Sequence, residues 1–236
     1  MYAPANHSIF PLGDTAVVVD FGNYIDKSIN ETVLALHAHL SAHPFKGFVE
    51  SVPAYSSLTI HYNPWLLRNE NSWGGTISEW VTEKVNQLIG EAQKQPDITS
   101  REISVPVCYE KSYAVDMEAV CNAKKLTAKE IIHLHTSMHY RVYMLGFLPG
   151  FAYMGEVDAQ LIMPRKPVPQ NIVAGSVGIT GRQTGIYPLN SPGGWNIIGR
   201  TPLPLFESNK DVITTYFKAG DIVRFHPISS HEFENY

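Results

Sequence analysis

The chain has 236 residues, of which 44% are hydrophobic and 17% charged, with a formal net charge of −4. That length and balance belong to a folded globular protein with one large core or two small ones. The acidic excess argues against a nucleic-acid partner, which requires a basic surface.

Asp14 to Asp20 reads as a buried strand, because Thr-Ala-Val-Val-Val is β-branched and apolar. Asp26 can cap a helix whose apolar positions Ile29, Val33, Leu36 and Leu40 recur at helical spacing. Gly47 to Val52 and Ser57 to Tyr62 read as two strands joined through Pro53-Ala54. Thr76 and Glu79 form a capping box ahead of Trp80, Val81, Val85, Leu88 and Ile89, so a second helix runs to about Gln93. Arg101 to Cys108 is another strand. The resulting order, β-α-β-β-α-β, is the ferredoxin-like split motif.

Gln93 to Ser100 is polar, contains Pro96 and reads as a linker. We expect domains at 1–98 and 99–236, the first extending to 112 if it keeps the strand at Arg101 to Cys108. Asp116 to Lys124 and Thr127 to His135 read as short helices, the second with its own capping box, Thr127 with Glu130. From Tyr140 onward short β-rich runs alternate with Gly and Pro: Arg141 to Leu145, Gly175 to Thr180, Trp195 to Gly199 and Ile222 to His226. That pattern reads as a closed barrel or a sandwich.

Between Gly146 and Gly199 lie 10 of the 17 glycines, a density that implies turns and close backbone approach. Ala159 to Phe206 holds no Asp or Glu, where roughly four would be expected, yet carries Arg165, Lys166, Arg182 and Arg200. A local charge of +4 points to an anion site, the alternative being solvated basic residues on a Gly-rich barrel.

The segments GFLPGFAYMG, PRKPVP, AGSVGITGRQTGIYP, SPGGW and IGRTP resemble the signature of the 5-oxoprolinase B-subunit family. That family includes the sporulation kinase A inhibitor of bacilli and was formerly called allophanate hydrolase subunit 1. The likeness extends to the N-terminal half through Pro11 to Asp14, Phe21-Gly22, Val52 to Leu58 and Leu134 to Thr136. It implies an α+β protein with a ferredoxin-like N-terminal domain and a cyclophilin-like β-barrel of carboxyltransferase type. It further implies ATP, with magnesium and shared with partner subunits, as cofactor. Subunits C and A of a 5-oxoprolinase are the implied partners, and docking on a histidine kinase is a second implied role. A carboxyltransferase-type part of a urea- or allophanate-degrading enzyme is a third. Two stretches depart from the family pattern. Gln170 and Asn171 stand where the family places an arginine and a nearby proline, and Tyr109 to Asp116 lacks the glycine-rich stretch after the strand.

Arg200 is the first candidate catalytic residue, because a guanidinium binds carboxylate or phosphate bidentately; a structural ion pair is the competing role. Gln183 can donate and accept, which suits a lactam with one N–H and one C=O. His135, in the family's histidine-threonine pair, is a candidate for a hydrogen bond orienting the mouth of the barrel, with acid-base work second. Tyr143, Phe147, Phe151, Tyr153, Tyr187 and Trp195 form an aromatic set, with Thr184, Ser191, Arg165 and Arg182 as polar anchors. A mostly apolar pocket with a few polar groups is the usual small-molecule site, and barrel core is the competing reading.

Other constellations carry less. His135 and His139 stand at i and i+4, but the glutamate of a metalloprotease helix is missing, so no metal is expected. Cys108 and Cys121 form neither a disulfide framework nor a zinc pattern and read as free thiols of a reducing compartment. Ser176 lacks the strand-turn-helix context of a nucleophile elbow. No phosphate-binding glycine loop and no biotin-carrier triplet appears. A leader peptide is not expected, and Ala16 to Val19, among the longest apolar runs, is too short to cross a bilayer, so the default location is the cytoplasm.

Overall fold

A computed structural model of the protein describes residues 7–68, 75–92, 100–209 and 212–236. The expected linker lies, up to residue 99, outside them. Contacts divide the chain into two units, Met1–Thr99 and Ser100–Tyr236. Among the described residues no helix is long and apolar enough to cross a membrane.

The first unit contains β1 (Ser8–Pro11), β2 (Ala16–Asp20), α1 (Lys27–Ala42), β3 (Phe48–Pro53), β4 (Ser57–Tyr62), α2 (Pro64–Leu67) and α3 (Ile77–Ala92). The sheet order is β1-β2-β4-β3, antiparallel throughout. Strand alternation sends Val17 and Val19, then Leu58, Ile60 and Tyr62, into one core, where they meet the helical stripes Ile29-Val33-Leu36-Leu40 and Val81-Val85-Leu88-Ile89. Each fully buried Leu, Ile or Val contributes roughly 1.5–3 kcal/mol. Asp26 starts α1 by accepting from the Ser28 hydroxyl at 2.6 Å and the Ile29 N–H at 3.0 Å. Those bonds, the Ser28 hydroxyl first, hold its carboxyl below the usual range. Glu79 accepts from the Thr76 N–H at 2.7 Å, and Thr76 Oγ1 accepts from the Glu79 N–H at 3.2 Å, ahead of α3.

Contrary to the expectation from the sequence, the split motif is not completed by the strand after α3. The sheet edge beside β2 is taken by β1, which the sequence pattern does not reveal. β1 and β2 are joined by four residues, a short closure with little chain entropy to lose. The strand at Glu102–Cys108 goes to the second unit, where Val105, Pro106, Val107 and Cys108 are all buried, as a strand paired on both edges requires.

That unit contains β5 (Glu102–Cys108), α4 (Met117–Lys124), α5 (Ala128–Thr136), β6 (Tyr140–Leu145), β7 (Ala152–Gly155), β8 (Gln170–Ile172), β9 (Ser176–Thr180), β10 (Gln183–Ile186), β11 (Ser191–Gly193), β12 (Asn196–Arg200), β13 (Phe206–Asn209), β14 (Val212–Thr215), β15 (Ile222–Ile228) and α6 (Ser230–Glu234). Seven strands close into a cyclophilin-like barrel in the order β10-β7-β6-β15-β5-β12-β9. β15 and β5 run parallel, and the other barrel pairs are antiparallel. Val105, Val142, Met154, Ile179, Ile198 and Val223 contribute to the interior. β8 with β11 and β13 with β14 form separate two-stranded ladders.

Candidate functional site

The strands β7, β10, β9 and β12 are successive neighbours, and their register places Tyr153 beside Gly185, Gly185 beside Gly178, and Gly178 beside Ile197. Residues opposite one another in a ladder share a face. This row faces out of the barrel, because Val177, Ile179 and Ile186, at the alternate positions, fill its interior. The two glycines open a furrow in that outer wall. A Cβ on Gly185 would stand 3.0 Å from Trp195 Cζ3 and 3.2 Å from Phe151 Cζ, and one on Gly178 would stand 3.0 Å from Trp195 Cβ. Phe151 is the hub of the rings filling the furrow. Its centroid lies 4.7 Å from Tyr153, 5.2 Å from Tyr187, 5.4 Å from Trp195 and 5.7 Å from Phe147, the last three edge-on.

Five of the six predicted aromatics therefore assemble on one wall. Phe151, Tyr187 and Trp195 are buried there with Ile172 and Ile197 as a satellite core. Tyr153 is half-buried, and Phe147, at φ 69°, leaves most of its ring exposed. Tyr143 is buried on β6, where a Cβ on Gly155 would touch its ring edge at 3.6 Å. Ser191 on β11 carries a buried hydroxyl with no hydrogen-bond partner among the described residues.

The three candidate catalytic residues are dispersed. Gln183 pairs with Thr180 at one end of β9, and Arg200 pairs with Ser176 at the other. Four residues of strand separate these positions by about 13 Å. Arg200 donates through Nε to the Ala174 carbonyl at 2.8 Å and lies over the Phe233 ring at 5.6 Å. Its competing role as an ion-pair partner finds no carboxylate among the described residues.

His135 is inside the barrel unit and wholly buried. Its Nδ1 is 2.8 Å from the Tyr109 hydroxyl and its Nε2 is 3.0 Å from Thr184 Oγ1. Thr184 in turn donates to the Gly178 carbonyl at 3.1 Å, so its oxygen must accept from His135. That assigns the proton to Nε2 and leaves Nδ1 to accept from Tyr109. Burial pushes the imidazole down to about 3, so the ring is neutral. It stacks on Phe225 at 4.5 Å. His135 thus ties α5 to β10, with both ring nitrogens engaged and none facing solvent.

The charge of the acid-free stretch is partly cancelled in space. Arg182 makes a bidentate pair with Glu156, Nε to Oε1 at 2.9 Å and Nη2 to Oε2 at 2.5 Å, which holds the Glu156 carboxyl below its usual range. Lys166 Nζ meets Asp116 Oδ2 at 2.7 Å, both largely buried. Asp116, Glu156 and Tyr109 escape a reading of the sequence, because only the fold brings them to their partners. Arg165 has no such partner among the described residues. It lies between two backbone fastenings: Asn196 Nδ2 donates to the Pro164 carbonyl at 3.0 Å, and the Lys166 N–H donates to the Gly194 carbonyl at 2.7 Å. Two of the four cations are neutralised by carboxylates, and the other two, Arg165 and Arg200, lie toward opposite ends of β12, so these four do not by themselves cradle a nucleotide triphosphate. Among the described residues no group of three His, Cys, Asp or Glu could hold a metal ion.

Comparison with known proteins gives a consistent assignment. A sequence model of the carboxyltransferase domain, subdomains C and D, matches residues 7–215. The 5-oxoprolinase B-subunit of Bacillus subtilis (strain 168) is 39% identical over 232 residues, covering 98% of this chain and 96% of that protein. The crystal structure of TTHA0988 superposes with a TM-score of 0.75 at 31% identity over 91% of this chain, which spans 40% of that one. The urea amidolyase of K. lactis has the same fold, with a TM-score of 0.75 at 18% identity over 99% of this chain and 16% of that one. With most of its length matched by the family model and nearly all of it aligned to that bacterial relative, the chain belongs to the carboxyltransferase-domain family, subdomains C and D, and within it to the 5-oxoprolinase B-subunit family.

Proposed function

We propose that this chain is the B-subunit of an ATP-dependent 5-oxoprolinase, a hydrolase that opens the cyclic amide of 5-oxoproline to L-glutamate together with subunits C and A. The observation that carries the reading is the likeness to a relative so named across 98% of this chain and 96% of that protein. The chemistry needs donors for a developing oxyanion, cations for phosphate and a base for water. This chain offers the half-buried Gln183 amide, suited to a lactam, beside an aromatic wall. Among the described residues it offers no evident base: His135 is neutral, buried and engaged at both nitrogens. The nucleotide and the activation of water therefore fall to the partner subunits, and the active site is composite.

The test is reconstitution. The chain mixed with subunits A and C should release phosphate from ATP in the presence of 5-oxoproline but not of urea, and should release none alone. Urea-dependent release would replace this reading by the carboxyltransferase one. Inhibition of a histidine kinase without any turnover would replace it by the docking one.

A further inference from the structure

We propose that Arg165, seated on Gly194 next to the Gly193 that lies under Tyr187, anchors a carboxylate-binding subsite on the outer wall of the barrel. The inference rests on the 5-oxoprolinase reading for its ligand, the carboxylate of 5-oxoproline.

Four observations converge. First, Arg165 is held at its backbone and left open at its head. The Pro164 carbonyl and the Lys166 N–H fasten the segment to Asn196 and Gly194, and Lys166 Nζ fastens it again to Asp116. The Arg165 side chain is exposed, and no hydrogen bond or ion pair to a described residue commits it. Second, the adjacent glycines form a cradle that side chains would fill. A Cβ on Gly194 would stand 2.6 Å from Arg165 Nε and 2.9 Å from its Cγ, and a Cβ on Gly193 would stand 2.5 Å from the Tyr187 hydroxyl. Only glycine at both positions lets Arg165 and Tyr187 lie as they do. Third, the Arg165 charge is felt at the Tyr153 and Tyr187 hydroxyls of the same wall. Burial raises both, and Arg165 opposes the rise in each. Fourth, Ser191 Oγ, on the face of β11 shared with Gly193, is buried and has no partner among the described residues. A buried polar atom of this kind requires an explanation, and a ligand oxygen or N–H supplies one.

The charge count decides the ligand class. Arg182 and Lys166 are spent on Glu156 and Asp116, and Arg200 lies at the far end of β12. One open guanidinium matches one carboxylate, whereas a triphosphate would need several cations. Tyr153 and the exposed Phe147, which flank the Phe151 ring of the same wall, offer apolar surface to a small ring.

The experiment is a titration of the complete chain, without partners or ATP, read by the indole N–H resonance of Trp195. The ligands are 5-oxoproline and 2-pyrrolidinone, the same lactam without its carboxylate. We expect saturable binding of 5-oxoproline, at least about tenfold weaker binding of 2-pyrrolidinone, and a loss of at least about tenfold in Arg165→Gln with the thermal midpoint unchanged. Arg165→Lys should recover only part of the affinity. Equal affinity for the two lactams, an unaltered Arg165→Gln, or no saturable binding would each overturn the subsite. Because turnover of the assembled complex is measured separately, failure here leaves the 5-oxoprolinase reading standing, and failure there leaves this binding result intact.

Discussion

Replacing His135 by Phe tests the interior of the barrel unit. The ring volume is nearly kept, so stacking on Phe225 survives, but both hydrogen bonds go. The Tyr109 hydroxyl is left buried without its acceptor, while Thr184 keeps the Gly178 carbonyl. An orphaned buried donor costs about 1–3 kcal/mol, and imperfect packing adds roughly 1, so we expect a loss of ~3 kcal/mol at pH 7.5. The pH dependence is the sharper observable. Unfolded, the imidazole titrates at its ordinary 6.5; folded, burial lowers it to about 3. Between those values the unfolded chain binds a proton that the folded chain refuses, so stability falls as pH drops below 6.5. From 6.5 to 5 the loss through His135 is about 2 kcal/mol, at ~1.36 kcal/mol per pH unit. The Phe variant has no such group, so its deficit should shrink from ~3 to ~1 kcal/mol between pH 7.5 and 5. His37, also lowered by burial, is common to both proteins and cancels. Urea denaturation of the two proteins at four pH values supplies the numbers. A deficit independent of pH would refute the neutral, buried imidazole.

Gly185→Ala puts a Cβ 2.9 Å from the Ala152 carbonyl and 3.0 Å from Trp195, and should cost about 1–3 kcal/mol by thermal denaturation with a shift in tryptophan emission. Arg200→Ala removes the bond to Ala174 and the contact with Phe233; calorimetry should show a loss of about 1–2 kcal/mol, while titration shows 5-oxoproline affinity within about threefold of wild type. Arg182→Gln breaks an exposed pair with Glu156 and should leave that affinity within about twofold.

The legible parts of the fold were those encoded locally. The stripes of α1 and α3, the capping boxes at Thr76 and Thr127, and the apolar run Ala16 to Val19 each declare their element within a few residues. β1 was missed because Ser8–Pro11 is four residues long, ends in proline and leaves three of its four residues exposed, so no alternation shows. Its place at the sheet edge is a tertiary fact, and for the same reason the strand Glu102–Cys108 looked equally suited to either unit. The site divides in the same way. The density of glycines and aromatics was visible, but which ring lies over which glycine depends on the register of β7, β10, β9 and β12. The four cations of the acid-free stretch were visible too. Their neutralisers, Glu156 and Asp116, lie outside that stretch, so the sequence overstated the open charge.

The most direct measurement of the central claim is glutamate formed from 5-oxoproline and ATP by a mixture of this chain with subunits A and C, with each component withheld in turn. Glutamate and phosphate should form in equal amounts in the full mixture, and none should form when this chain is omitted. Undiminished glutamate formation in its absence, or turnover by this chain alone, would contradict the claim.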